Sequence, residues 1–326
     1  MILSQHKTSI APNKCKIKTF EANDADEHAH NLTDWQQEYD QTSAGGFYGS
    51  IRELALKDLQ VFKEQTSKAL NQSCKVWPNS IWLGIPEFSE QESRINGLPV
   101  NENTIMSRPG NCEFELVTPE NFNIFGIVVG QAQLQTMANI QCIELNWTEL
   151  TDHGRFDVPE STLTSIRFVL NRLLSLSSEQ TPERLKKDIL MMALLEVLQK
   201  EVPNQSMTPS YGHRKQVVDT VKTHIAQNIE EPLTITDLCE IANVSRRTLQ
   251  YSFESIMGIS PLQFLRMNRL NGVRRVLYHS SQTLPISDIA SQWGFWHLSQ
   301  FSKDYKQLFG ELPSETRQRS KHLKLQ

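Results

Sequence analysis

The sequence predicts an α+β protein of two domains: an antiparallel β-sandwich or barrel with trailing helices, followed by an all-α domain with two helix-turn-helix units. Three observations predict this. Short apolar or alternating runs divided by turn formers fill residues 47–129. After Gly130 the apolar spacing changes to three and four residues. Beyond a breaker-rich stretch, one helical pattern occurs twice, 51 residues apart.

The first 45 or so residues are polar and weakly periodic, with a short helix expected over residues 30–39. Strands are expected over residues 49–56, 59–62, 80–85, 113–117 and 122–129. Lys57-Asp58, Trp77-Pro78-Asn79, Arg108-Pro109-Gly110-Asn111 and Thr118-Pro119-Glu120 supply turn chemistry between them. Residues 160–176 and 182–200 read as amphipathic helices. In the second, Leu185, Ile189, Met192, Leu195 and Leu198 form one apolar stripe. That stripe packs either on its own domain or on a second copy of the chain, in a homodimer. Residues 202–213, with two prolines and a glycine, are the expected linker. The expected domains are therefore 1–201 and 214–326, the latter folding alone.

The helical part carries the repeat. Leu233-Thr-Ile-Thr-Asp-Leu-Cys-Glu-Ile-Ala-Asn-Val-Ser245 matches Leu284-Pro-Ile-Ser-Asp-Ile-Ala-Ser-Gln-Trp-Gly-Phe-Trp296 step for step. In each copy a hydroxyl residue (Thr236, Ser287) is the expected N-cap, and an aspartate (Asp237, Asp288) suits the positive end of the helix dipole. A residue tolerant of positive φ then makes the turn, Asn243 in one copy and Gly294 in the other. In the second helix of each copy, Leu249 and Phe253, then Phe301 and Tyr305, are spaced to face inward. The opposite faces offer Arg246, Arg247, Gln250 and Tyr251, and His297, Ser299, Ser302 and Lys303, with Leu298 able to reach out as well. Arg pairs bidentately with guanine and Gln with adenine, so these faces suit double-stranded DNA. Between the copies, residues 262–279 read as one helix of about 27 Å, close to the ~34 Å that separates successive major grooves. Its Arg266, Arg269, Arg274 and Arg275 are available to phosphates or to intramolecular pairing.

Charge agrees with this division. From Arg214 onward there are 15 Lys+Arg against 10 Asp+Glu, whereas the preceding residues hold 18 against 27. A polyanion is drawn to the second part and repelled by the first. Cys15, Cys74, Cys112, Cys142 and Cys239 form no C-x-x-C pair, which argues for reduced thiols rather than zinc or a disulfide framework. No apolar run approaches ~20 residues, and no signal segment is evident, so a cytoplasmic protein is expected.

On these motifs the last ~110 residues resemble the DNA-binding domain of the AraC/XylS family of transcription regulators. The second unit carries the resemblance in Ile289-Ala290, Gly294-Phe295, Phe301-Ser302, Tyr305-Lys306, Phe309-Gly310 and Pro313-Ser314, ending near Arg317. The first carries Ser245-Arg246-Arg247-Thr248-Leu249, Phe253 and Gly258-Ile259-Ser260-Pro261. Lys303 and Thr316 depart from the pattern, where arginine and tyrosine are usual. The resemblance implies a DNA-binding regulator of a catabolic operon, an activator by preference, that engages RNA polymerase. Within the family, Trp35-Gln36-Gln37-Glu38-Tyr39, Val76-Trp77-Pro78-Asn79-Ser80 and Glu113-Phe114-Glu115-Leu116 resemble regulators of ethanolamine utilisation. That implies a sensory domain whose effectors are ethanolamine and adenosylcobalamin.

Read residue by residue, the N-terminal part holds no catalytic constellation, and no cofactor is needed for its fold. Its one local His/carboxylate cluster is Glu27-His28-Ala29-His30, which precedes the first clear strand and lacks a third ligand. The alternative of a cupin-like metalloenzyme fused to a DNA-binding module rests on that cluster alone. Trp77, Trp82, Glu113 and Glu115 are the candidates to line an effector pocket, aromatic faces and carboxylates both suiting an ammonium group. Ordinary packing and surface pairing explain the same residues.

Overall fold

A computed structural model describes residues 17–175, 181–199, 209–228, 233–279 and 284–323. Its N-terminal part contains two antiparallel sheets. The larger runs β1 (Lys18–Ala22), β3 (Gly49–Leu56), β4 (Leu59–Thr66), β11 (Phe122–Gly130), β6 (Ser80–Pro86), β9 (Thr104–Pro109) and β12 (Arg155–Asp157). The smaller runs β2 (Gln36–Gln41), β5 (Leu70–Lys75), β10 (Glu113–Thr118), β7 (Ser93–Ile95) and β8 (Leu98–Val100). The two sheets stay separate, so this is an open sandwich and not a closed barrel.

The larger sheet is the middle layer of three. Trp82, Ile124 and Val128 point between the sheets and meet Phe114 and Leu116 of β10. Ile81, Leu83, Phe125 and Ile127 point the other way, under α2 (Gln131–Ile140), α3 (Glu160–Leu173) and α4 (Glu183–Gln199). Burial on both faces explains why β6 and β11 are apolar at nearly every position instead of alternating. The turn at Lys57-Asp58 closes a tight hairpin with Leu56 opposite Leu59, Asp58 taking a φ of 60°.

Three sequence expectations change in this half. Residues 30–39 are not a helix: α1 (Ala25–Ala29) ends before them and β2 begins at Gln36. β2 is written almost wholly in polar residues, which hides its period of two, and its pairing with β5 (Tyr39 opposite Gln72) satisfies one side of its backbone. The apolar stripe of α4 divides: Leu195 and Leu198 are buried in the domain core, whereas Leu185, Ile189 and Met192 are exposed. Of the expected linker, residues 202–208 lie outside the described residues. Pro209 to His213 open α5 (Pro209–Gln227), with proline where a missing N–H costs nothing.

Among the described residues that follow, the regular structure is helical: α6 (Ile235–Ala242), α7 (Arg246–Met257), α8 (Pro261–His279), α9 (Ile286–Gln292), α10 (Leu298–Phe309) and α11 (Pro313–Leu323). α5 to α7 form a first unit and α9 to α11 a second, with α8 spanning both. The first unit shares one continuous apolar core with the sandwich interior, from Trp82 and Leu116 to Val218, Leu249 and Phe253. Leu270, Val273, Ile289, Phe301 and Tyr305 make a separate core in the second. Cys74, Cys112, Cys142 and Cys239 are free thiols, while Cys15 lies outside the described residues. Among the described residues no helix is long and apolar enough to cross a membrane.

Candidate nucleic-acid interface

In the first unit the short helix α6 is closed by a capping box. The Thr234 hydroxyl accepts the Asp237 N–H, and the Asp237 carboxylate accepts the Thr234 N–H. The cap is therefore Thr234 and not Thr236. The two side chains answer each other only when the aspartate sits three positions into the helix. The Thr234 amide and hydroxyl hold the Asp237 carboxyl below the ordinary range. Asn243 makes the turn at φ 51°, as its tolerance of that conformation predicts, and Ser245 caps α7 by accepting the Thr248 N–H at 3.2 Å.

Helix α7 then presents two faces. Leu249, Phe253, Ile256 and Met257 are buried. Arg246, Arg247 and Tyr251 are exposed and Gln250 is half-buried, its amide donating to Glu254. Arg214 of α5 lies over the Tyr251 ring, 5.3 Å from its centroid, and donates to its hydroxyl at 3.3 Å. Sequence reading missed this neighbour because Arg214 and Tyr251 are 37 positions apart.

The second unit repeats the design less tidily. α9 starts after Pro285 with no side-chain cap, so Ser287 lies inside the helix and does not open it. Pro285 has φ −54°, suited to a helix start, and its carbonyl accepts the Asp288 N–H at 3.1 Å in place of a side-chain cap. Gly294 turns at φ 78°, where the Arg269 side chain lies against it. In α10, Phe301 and Tyr305 face inward, and His297, Ser299 and Lys303 are exposed with Ser302 half-buried. Leu298 is exposed, and so is Trp296 just before the helix. Trp296 was not selected from sequence; an indole there can contact a thymine methyl or a sugar.

The eight donor-bearing residues thus fall into two outward clusters, one on each second helix. α8, 19 residues and about 28 Å long, separates them. Two of its arginines, Arg274 and Arg275, turn inward, while Arg266 is exposed. Arg266 pairs with Asp304 of α10, and Arg274 and Arg275 pair with carboxylates of the sandwich domain.

Residues 238–319 match the helix-turn-helix domain family. Over 129 residues the chain is 30% identical to the XylDLEGF operon transcriptional activator 2 of Pseudomonas putida, covering 39% of this chain and 80% of that protein. The chain belongs to the AraC/XylS family of transcriptional regulators. A XylDLEGF operon transcriptional activator of the same organism is 32% identical over 129 residues, of which this chain spans 39% of the length. A probable AraC family transcriptional regulator from Rhodopseudomonas palustris CGA009 is 33% identical, over 32% of this chain and 96% of that one, with a TM-score of 0.30. In this family member Thr316, one of the two departures from the usual motif, is buried and shares its hydroxyl with Tyr305 and Glu311.

The four candidate effector residues do not converge. Trp82 is buried, stacked on Phe114 at 4.7 Å, with its indole N–H unpartnered. Because alternate side chains of a strand point to opposite faces, Glu113 and Glu115 face away from the sandwich interior, where Phe114 packs. Glu115 pairs with Lys222 of α5, whose ammonium burial lowers to about 8. Glu113 lines a shallow groove with Gln37 and Lys75. Trp77 is half-buried, its carbonyl accepting the Ser80 hydroxyl. The histidine cluster separates as well: His28 is buried against Glu64 at 3.0 Å, while His30 bonds the Asp26 carbonyl. Among the described residues no three His, Cys, Asp or Glu side chains are placed to hold a metal ion.

Proposed function

We propose that this family member binds double-stranded DNA sequence-specifically through α7 and α10 and activates an operon in response to a small molecule. The observation that carries this is the pair of outward, donor-rich faces on the second helices of the two units, joined by one continuous strut. Phosphates would meet Lys303 and the helix N-termini, and base edges would meet Arg247 and Gln250. The P. putida relatives are named as operon activators, which supports activation, and with it contact to RNA polymerase, over repression. The sandwich supplies the sensory part. Ethanolamine with adenosylcobalamin is the effector pair that the N-terminal resemblance suggests. The exposed Leu185, Ile189 and Met192 support a homodimer.

Selection of binding sites from a random duplex pool, followed by footprinting, tests DNA recognition. A single enriched motif with two patches one helical turn apart is expected. Enrichment no better than for a random pool would end the reading. Titration calorimetry with ethanolamine and adenosylcobalamin, singly and together, tests the effectors; no heat at millimolar concentration removes that pair while leaving DNA recognition standing.

A further inference from the structure

The two helix-turn-helix units are attached to the sandwich domain by different physics. The first is fused to it by apolar burial: Gly97 of the β7–β8 hairpin lies directly against Ile256 near the end of α7, and the two cores are one. The second keeps its own core and meets the sandwich domain through polar groups. β2 is an edge strand, so the outer N–H and C=O of its last residue need partners. The Asn271 carboxamide of α8 supplies both, accepting from the Gln41 N–H and donating to the Gln41 carbonyl, each at 3.0 Å. The Gln41 side chain then reaches across to α10. The two hydrogens of its amide are shared among the carbonyls of Ser43, Gly45 and, at 2.7 Å, Leu308. Leu308 lies in the last turn of α10, where carbonyls lack intrahelical donors, and it accepts the Gly45 N–H as well, at 3.0 Å. Gly310, which ends α10 at φ 77°, has no room for a Cβ: the Gly46 amide would stand 2.8 Å from it.

We propose that Gln41, a residue of the sandwich domain, is a positioning residue for DNA recognition: it completes the C-terminal end of α10 and fixes where that helix lies relative to α7. This rests on α7 and α10 being the base-reading helices. A sandwich fused to one unit and hydrogen-bonded to the end of the other sets the spacing between them. Anything that moves β2 or the 42–46 loop then changes the register of the two reading heads, while their base-contacting side chains stay the same.

The test uses the full chain and the variants Gln41→Ala and Gln41→Glu. The glutamate keeps the size but offers Leu308 an acceptor where a donor is needed. Hydrogen exchange without DNA is the first readout. Amides in the last turn of α10 and the start of α11 should exchange about 5- to 10-fold faster, with α7 amides unchanged. Equal loosening of α7 and α10, or no loosening in either variant, overturns the proposal. Spacing tolerance is the second readout, on the selected duplex with one base pair inserted between the two contact patches. The parent should lose about tenfold or more in affinity, and the variants threefold or less, because a loosened second unit can follow the shift. The same penalty in parent and variants overturns it too. A parent without sequence-specific binding defeats the functional reading instead, and the exchange experiment still decides whether Gln41 positions α10.

Discussion

Arg274 of α8 and Asp24, the cap of α1, form an ion pair between the helical domain and the sandwich domain, buried on both sides and 250 residues apart. Burial alone would raise the Asp24 carboxyl; the Arg274 charge and the Glu27 and Asp26 amides outweigh it and hold it below the ordinary range. The same guanidinium meets Glu311 at 2.9 Å and lies over the Phe309 ring at 4.5 Å. One side chain therefore ties α1, α10 and the start of α11 together.

Removing one partner of such a pair leaves a buried charge uncompensated, which typically costs about 3–5 kcal/mol. Arg274→Met should lower the urea stability of the full chain by that order. Asp24→Asn should cost less, since its amide oxygen still accepts the two backbone N–H bonds of the α1 cap. A loss under about 1 kcal/mol for Arg274→Met would mean that the contact is screened by water.

Asp40, at the end of β2, behaves in the opposite sense. Burial raises its carboxyl to about 6, against the pull of Arg275. Charges facing it are Arg275 of α8, Glu38 of its own strand and Lys222 of α5. A folded value raised above the unfolded one means that the native state binds the proton more tightly. Its contribution to stability is then full below about pH 4 and is lost as pH rises through about 6. Asp40→Asn should flatten the fall in stability between those limits, a difference on the order of 1–3 kcal/mol. Parallel pH profiles of parent and variant would refute this by coinciding.

The helical half was legible because local signals specify it. Turn residues with positive φ, Asn243 and Gly294, and inward residues four apart, Leu249 with Phe253, need only neighbours in sequence to be read. β2 was not legible, since Gln36-Gln37-Glu38 has no apolar alternation and becomes a strand only by pairing with β5. The domain boundary at residue 214 is similarly opaque. Tyr211, Val217 and Val218 lie in a core completed by sandwich residues, and nothing in their spacing names that partner. Isolated residues 214–326 therefore give up shared apolar burial, and their first unit should unfold at lower urea concentration than in the full chain. The effector candidates failed to converge for a related reason: burial of Trp82 and pairing of Glu115 with Lys222 are tertiary facts.

The divided stripe of α4 separates two roles on one helix. Leu195 is fully buried, so Leu195→Asp places an unpaired charge in the core and should cost several kcal/mol. Ile189 is 38% exposed, so Ile189→Asp should change stability by less than about 1 kcal/mol. If Leu185, Ile189 and Met192 seat a second copy, that variant alone lowers the sedimentation mass to that of one chain. An unchanged mass in a folded Ile189→Asp protein would remove this face from any dimer.

The faces proposed to read bases give the sharpest expectations, because α7 and α10 carry different chemistry. Arg247 is exposed with a guanidinium able to grip guanine, so Arg247→Ala should cost about 1–3 kcal/mol and relax preference at one or two base pairs. Gln250 donates to Glu254 without DNA, and reading adenine requires it to let go. Glu254→Ala should therefore leave Gln250 freer and hold or raise affinity, whereas Gln250→Ala lowers it by about 1–3 kcal/mol. Lys303 is a compact charge on α10 suited to phosphate. Lys303→Ala should weaken all duplexes evenly and reduce the salt slope by about one counterion. Affinities measured at several salt concentrations, on the selected site and on single-base variants of it, decide all three. Should Arg247→Ala keep full selectivity while Lys303→Ala relaxes it, base reading belongs to α10 and the backbone contact to α7, the reverse of the assignment made from their side chains.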